Sequence, residues 1–129
     1  GGPEDRVAGD EIAATDDVKI YNACGKFKLN ESADLVRKAR LVITNDTGLM
    51  HIAAAYKKQI ISLWGNTVPS FGMTPYYGFA PVSDVILQVN KLWCRPCSKI
   101  GYSKCPLGHF KCMERIDPKD VVARAGQRL

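Results

Sequence analysis

Seven residues at the end of an apolar run, Asn45-Asp46-Thr47-Gly48-Leu49-Met50-His51, have the types and order of a ligand-gripping turn. Leu41-Val42-Ile43-Thr44 before them reads as a strand buried on both faces. Leu49, Ile52, Ala53 and Tyr56 after them read as the apolar side of a helix. Where a buried strand turns into a helix, the first backbone N–H groups have no intrahelical partner, and that end attracts anions. Gly48 lets a phosphate approach the backbone and Thr47 adds a hydroxyl donor. Asp46 repels phosphate and is suited to sugar hydroxyls or to capping the helix. His51, one turn on, donates one bond when neutral and adds charge when protonated. An ordinary capped helix start has the same residues, and spacing alone leaves both readings open.

A second cluster is Cys94-Arg95-Pro96-Cys97, then Cys105 and Cys112, with His109 between the last two. The spacing C-x2-C-x7-C-x6-C holds one metal-binding knuckle, but the second pair is too far apart for another, so His109 could replace a thiolate. Structural zinc, local disulfides and packed free thiols all fit. The odd total of five cysteines and the lack of a basic-then-apolar leader argue against a secreted module held by disulfides alone. Cys24 reads as a small apolar residue.

The elements that must position these groups alternate. Gly2-Pro3-Glu4-Asp5 opens a helix running to about Ala14, Val18–Tyr21 alternates like a strand, and Asn30 caps a second helix. After the Leu41–Thr44 strand and its helix come a strand at Ile60–Trp64, a long irregular stretch over 65–83, a strand at Val85–Val89 and a terminal helix opened by Asp117-Pro118. Val121, Val122 and Ala125 are that helix's inward side. This order predicts an α/β fold: a Rossmann-like parallel sheet with flanking helices and an appended Cys-rich loop segment. Ligands in such folds lie beyond the carboxyl ends of the strands, where the loops Ala23–Leu29, Asn45–His51 and Gly65–Tyr77 fall. Trp64, Phe71, Tyr76 and Tyr77 are read first as packing and second as a sugar or base platform.

The 129 residues fit one domain, 1–129, with a Cys-rich segment at 91–116 and a terminal helix at 117–129. No run reaches membrane-span length. The net charge of +5 is spread along the chain, which excludes a nucleic-acid tail and is compatible with a phosphate-bearing ligand or an anionic membrane face. The Gly1-Gly2-Pro3 start, without Met, is expected of a piece of a longer protein.

The stretch Val42–Ala55, with its Asp-Thr-Gly-x-x-His and Ala-rich turn, resembles the signature of glycosyltransferase family 9, the ADP-heptose:lipopolysaccharide heptosyltransferases. Ile60–Thr67, Gly1–Asp5, Gly25-Lys26 and the Cys-x-Pro-Cys and Cys-Pro-Leu-Gly-His patches are similar to family members too. The resemblance implies the C-terminal half of a GT-B enzyme. Thr47, Gly48 and Leu49 would bind the diphosphate, Asp46 the sugar hydroxyls, and His51 the phosphate or sugar. Asp5 or Glu4 would bind ribose, and Phe27 and Leu29 would line the base pocket.

It further implies inverting transfer of a heptose-like sugar from an ADP-sugar to a lipopolysaccharide/lipid A core acceptor. No catalytic residue is expected in this chain, because the base would sit in a missing N-terminal acceptor domain, so this chain alone is expected to be inactive. Catalysis is expected to need no cofactor, with zinc at most structural. The implied location is cytoplasmic, at or near the inner face of the membrane. Two other functions compete: a zinc-stapled Rossmann-like binding module without transferase activity, and a transferase using another nucleotide sugar.

Overall fold

A computed structural model describes the whole chain, residues 1–129. The chain forms two compact units, Gly1–Leu35 and Val36–Leu129.

The first unit begins with a 3₁₀ turn, Pro3–Asp5, with Pro3 in the first helical position, and continues as α1 (Arg6–Ala13). A buried amide, Asn22, holds it together. Its Nδ2 donates to Arg6 O at 3.0 Å and to Asp10 Oδ1 at 2.7 Å, and its Oδ1 accepts the Cys24 N–H at 2.9 Å. Gly9 makes the approach possible, since a Cβ there would lie 2.4 Å from Asn22 Oδ1.

The strand expected at Val18–Tyr21 is instead a turn. The Asp16 carboxylate accepts the Lys19 N–H at 3.1 Å and the Asp16 carbonyl accepts the Ile20 N–H at 2.9 Å. This local side-chain bonding competes with an extended backbone and wins. Helix α2 (Leu29–Lys38) starts one residue before the expected cap, Asn30. The Glu31 carboxylate reaches back to the Lys28 N–H at 2.7 Å and closes the end in its place.

In the second unit, β1 (Leu41–Asn45), β2 (Gln59–Trp64) and β3 (Asp84–Gln88) form a parallel sheet in the order β1-β2-β3. Helix α3 (Gly48–Ala55) crosses from β1 to β2. The expected parallel sheet with flanking helices is observed. The central strand is β2, where Ile60, Ile61, Ser62 and Trp64 are fully buried. The expectation of two buried faces for β1 is corrected: it is an edge strand with Ile43 49% exposed. Met50, Ala53, Ala54, Ile60, Trp64 and Tyr77 form the core. Thus α3 turns Met50, Ala53 and Ala54 inward, while Tyr56 is exposed.

A polar relay runs through this core. Trp64 Nε1 donates to Ser62 Oγ at 2.9 Å, and Ser62 Oγ donates to the Asp84 carboxylate at 2.9 Å. Burial pushes the Asp84 carboxyl above its ordinary range, against the lowering effect of the Ser62 bond. Burial, with Asp84 nearby, pushes the Tyr77 phenol up to about 12. Tyr77 donates to Lys58 O at 3.0 Å and ties the long 65–83 stretch to the end of α3. Trp64 and Tyr77 therefore pack, whereas Phe71 and Tyr76 are exposed.

A short helix that the sequence reading did not anticipate, α4 (Lys111–Glu114), carries Cys112 into the interior. The Asp117 carboxylate caps α5 (Pro118–Gly126) by accepting the Lys119 N–H at 2.9 Å. Val122 faces outward, 71% exposed, rather than inward as expected. No helix is long and apolar enough to cross a membrane.

Candidate functional site

The β1–α3 elbow joins a strand end to a helix start. Thr47 is extended, with φ −145° and ψ 165°, in the position before α3, and its side chain makes no capping bond to the helix. Its hydroxyl instead lies 3.2 Å from Thr44 Oγ1. The helix start is therefore left to whatever approaches it. Gly48 has no left-handed φ, and a Cβ added there would meet nothing within 4 Å. The fold itself therefore does not demand glycine at this position. His51 lies exposed on the same helix.

Asp46 does not cap the helix. Its carboxylate accepts the Thr67 hydroxyl at 3.0 Å, which joins the end of β1 to the loop after β2. Beside it is a cavity of about 210 Å³ lined by Asn45, Asp46, Leu63, Gly65, Asn66, Thr67, Ile100, Phe110 and Met113. That is below the roughly 300–1,000 Å³ of whole small-molecule sites, so it has room for part of a ligand. Of the expected donor-binding residues only Asp46 lines it. The elbow amides, Thr47 and His51 lie alongside in the chain.

Sequence reasoning missed this cavity's far wall. Ile100, Phe110 and Met113 come from the Cys-rich segment, distant in sequence. Met113 packs where Gly65 has no side chain, since a Cβ there would lie 2.6 Å from Met113 Sδ. Asn66 Nδ2 donates to Tyr102 O at 2.7 Å.

Arg95, also missed, is the anchor of that segment. Its guanidinium donates to Thr67 O at 2.9 Å, Val89 O at 3.0 Å, Gln88 Oε1 at 2.8 Å and Gly65 O. It clamps the cysteine loop onto the carboxyl ends of β2 and β3. Burial holds it below the usual guanidinium range, while Cys112 and Cys97 oppose that shift.

Another cavity of this unit, about 370 Å³, lies among the cysteines. Cys94, Cys97, Cys105, Cys112 and His109 all line it. All five cysteines of the chain are free thiols. Burial pushes the Cys97 and Cys112 thiols up, and neighbouring cysteines add to the shift. Cys105 goes the other way: backbone N–H groups, that of Phe110 foremost, bond its sulfur and bring it down.

The remaining expected residues belong to the Gly1–Leu35 unit. Glu4 and Asp5 are exposed in the 3₁₀ turn, and the Asp5 carboxylate accepts the Gly2 N–H at 2.9 Å. Phe27 lines an open cavity of about 370 Å³ with Asn30, Glu31, Asp34 and Leu35. Leu29 is 67% exposed and outside that lining.

A sequence profile described as glycosyltransferase family 9 (heptosyltransferase) matches residues 1–107. The lipooligosaccharide heptosyltransferase 2 of Campylobacter jejuni is 31% identical over 119 residues, covering 92% of this chain and 35% of that protein. Its namesake from Haemophilus influenzae is 41% identical over 88 residues, covering 65% of this chain and 23% of that protein. The solved structure of Escherichia coli ADP-heptose lps heptosyltransferase II shares the fold with a TM-score of 0.69 at 24% identity, over 98% of this chain and 34% of that one. The chain thus spans about a third or less of the length of these proteins.

Proposed function

The chain belongs to glycosyltransferase family 9, and on that premise we propose that it holds the nucleotide-sugar donor of a heptosyltransferase at the β1–α3 elbow. The observation that carries this reading is the uncapped start of α3, with open space over Gly48 and a carboxylate, Asp46, beside it. In the proposed complex the amides of Gly48 and Leu49 and the Thr47 hydroxyl grip the diphosphate. Asp46 accepts bonds from sugar hydroxyls, and His51 supports the phosphate or sugar. For the first unit, taken by itself, the family resemblance suggests Asp5 or Glu4 for a ribose and Phe27 with Leu29 for a base. The apolar face Phe27 gives its own cavity supports its part of this assignment.

The proposed reaction transfers a heptose-like sugar from an ADP-sugar to a lipopolysaccharide core. The acceptor hydroxyl attacks the anomeric carbon as the bond to the diphosphate oxygen breaks, which inverts the centre. A base takes the hydroxyl proton, and the elbow's positive end stabilises the departing diphosphate. In this reading the base comes from outside these residues, as the family resemblance implies. We place the protein on the cytoplasmic side of the membrane, where its net charge of +5 favours an anionic surface.

Calorimetric titration of the chain with ADP, GDP and UDP tests the reading. ADP is expected to bind most tightly, with a loss of tenfold or more when Asp46 and Thr47 are both changed to Ala. A folded chain that takes up none of the three at millimolar concentration would overturn it and leave a scaffold-only module. Sugar transfer by this chain alone would refute the external base.

A further inference from the structure

Basic residues occur throughout the chain, but their excess over acidic ones is concentrated, not spread as expected above. Residues 91–116 hold Lys91, Arg95, Lys99, Lys104, Lys111 and Arg115 against a single acid, Glu114. This stretch alone therefore carries a net +5, the net charge of the whole chain, and the rest balances to zero. Arg95 is occupied by carbonyls of the sheet, while the other five basic residues are exposed. Among them stand five exposed apolar side chains: Trp93, which is 85% exposed, Ile100, Tyr102, Leu107 and Phe110. Each has an exposed lysine within three positions in the chain. We propose that this surface docks on an anionic lipid bilayer, with the apolar side chains among the headgroups and the lysines against lipid phosphates.

The segment is folded with its polar anchors inward. Arg95 donates to Thr67 O and Val89 O, the Cys97 N–H donates to Asn66 O at 3.1 Å, and Asn66 Nδ2 donates to Tyr102 O at 2.7 Å. These bonds hold the backbone to the sheet and leave the large apolar side chains outside. Apolar groups gathered on a polar-rimmed surface mark a partner. Trp93, Tyr102 and Leu107 line one cavity, and Ile100 and Phe110 line the one at the elbow. The chemistry favours a bilayer over a nucleic acid. Single-stranded nucleic acids are gripped by stacking rings and arginine planes. Here the central arginine is engaged, four of the five exposed cations are lysines, and Ile100 and Leu107 have no flat face to stack on a base. Tryptophan and tyrosine, with an apolar body and a polar tip, suit the boundary between lipid and water.

The inference rests on the placement at an anionic membrane proposed above and deepens it by naming the contact. In the proposed reaction the acceptor is borne by a lipid. Docking through this segment, which also lines the elbow cavity, holds the elbow near that lipid.

Sedimentation of the chain with vesicles of equal parts phosphatidylglycerol and phosphatidylcholine tests it. No nucleotide is added, so a failure to dock and a failure of the elbow to bind ADP are seen separately. Binding at low salt is expected to be at least tenfold tighter than to phosphatidylcholine alone and to weaken as salt rises. Of the two tryptophans Trp64 is fully buried, so Trp93 reports the surface. Its emission is expected to shift to the blue on binding and to be quenched by brominated lipids. The triple change Lys99→Gln, Lys104→Gln and Lys111→Gln is expected to weaken binding at least tenfold. Phe79→Ser, at an exposed residue outside the segment, is expected to change it less than twofold. If the triple variant does not fold, quenching of Trp93 in the unaltered chain decides alone. A chain that stays in solution beside the anionic vesicles at low salt overturns the proposal. So does a bound chain whose Trp93 emission is unmoved, or a folded triple variant that binds as well as the unaltered chain. Single-stranded RNA bound more tightly than the anionic vesicles overturns it as well and makes this a surface for nucleic acid.

Discussion

Two cavities of the Val36–Leu129 unit, at the elbow and among the cysteines, contrast in the origin of their polar groups. At the elbow the chemistry is local: Asn45 to His51 are consecutive, and a strand end and a helix start position them together. In the cysteine cavity the groups are gathered from three stretches with little regular structure between them. The first is positioned by the sheet, the second by a few polar anchors. No residue lines both, but one segment serves the two, because the stretch that carries the cysteines also carries Ile100, Phe110 and Met113 at the elbow. A site read as one motif in sequence thus depends on a segment that sequence reading treats separately.

The harshest way to break that dependence is Arg95→Met. The substitution leaves the carbonyls of Gly65, Val89 and Thr67 and the Gln88 amide without their charged donor. A loss on the order of 3 kcal/mol or more is expected, measured by urea denaturation. ADP affinity should fall with it at urea concentrations where the sheet is still folded. If stability drops and the affinity of the remaining folded protein holds, the shared segment does not couple the two cavities and they are independent.

Ser62→Ala strikes the sheet without touching either cavity. Trp64 Nε1 and the Asp84 carboxylate each lose a partner, at an expected cost of about 1–3 kcal/mol. Nucleotide affinity measured below the unfolding transition should change by less than twofold. A larger change would mean that elbow geometry follows core packing rather than the Arg95 clamp.

Gly48→Ala separates binding from folding by sign. With no left-handed φ and no atom within 4 Å of the new Cβ, alanine is expected to stabilise the chain by about 0.4–1 kcal/mol through the unfolded state. The same methyl occupies the approach of a phosphate, and ADP affinity is expected to fall about tenfold. An unchanged affinity would move the diphosphate away from Gly48.

How much of this was legible in the sequence follows the same contrast. The three parallel strands were visible because apolar runs of strand length stand between turn residues, and the elbow because Asp-Thr-Gly is contiguous. What failed was decided by competition or by distance. The Asp16 side chain captured the backbone of residues 18–21 in a turn, and Glu31 displaced Asn30 as the closing group of α2. Hydropathy could not reveal that β1 lies at an edge, since its residues are as apolar as those of a central strand. Arg95 and the far wall of the elbow cavity were invisible for another reason. An arginine between two cysteines carries no sign that its partners are carbonyls about thirty residues upstream.

The smallest effect tests whether the sheet beneath both cavities carries a titratable strain. Burial raises the Asp84 carboxyl above its unfolded value, so the folded chain binds that proton more tightly than the unfolded chain. This stabilisation is fully present below the unfolded carboxyl pKa of about 3.9 and is lost as pH rises through the folded value. Above that, the ionised carboxylate is a constant burden, relieved in part by the Ser62 hydroxyl. Asp84→Asn keeps an oxygen for Ser62 and removes the titration. Urea midpoints of the two chains, measured from pH 4 to 7, should therefore diverge in favour of asparagine as pH rises and then run parallel. The other carboxylates cancel in the difference. A gap independent of pH would show that Asp84 is solvated well enough to ionise without cost, and that the Trp64–Ser62–Asp84 relay acts through hydrogen bonding alone.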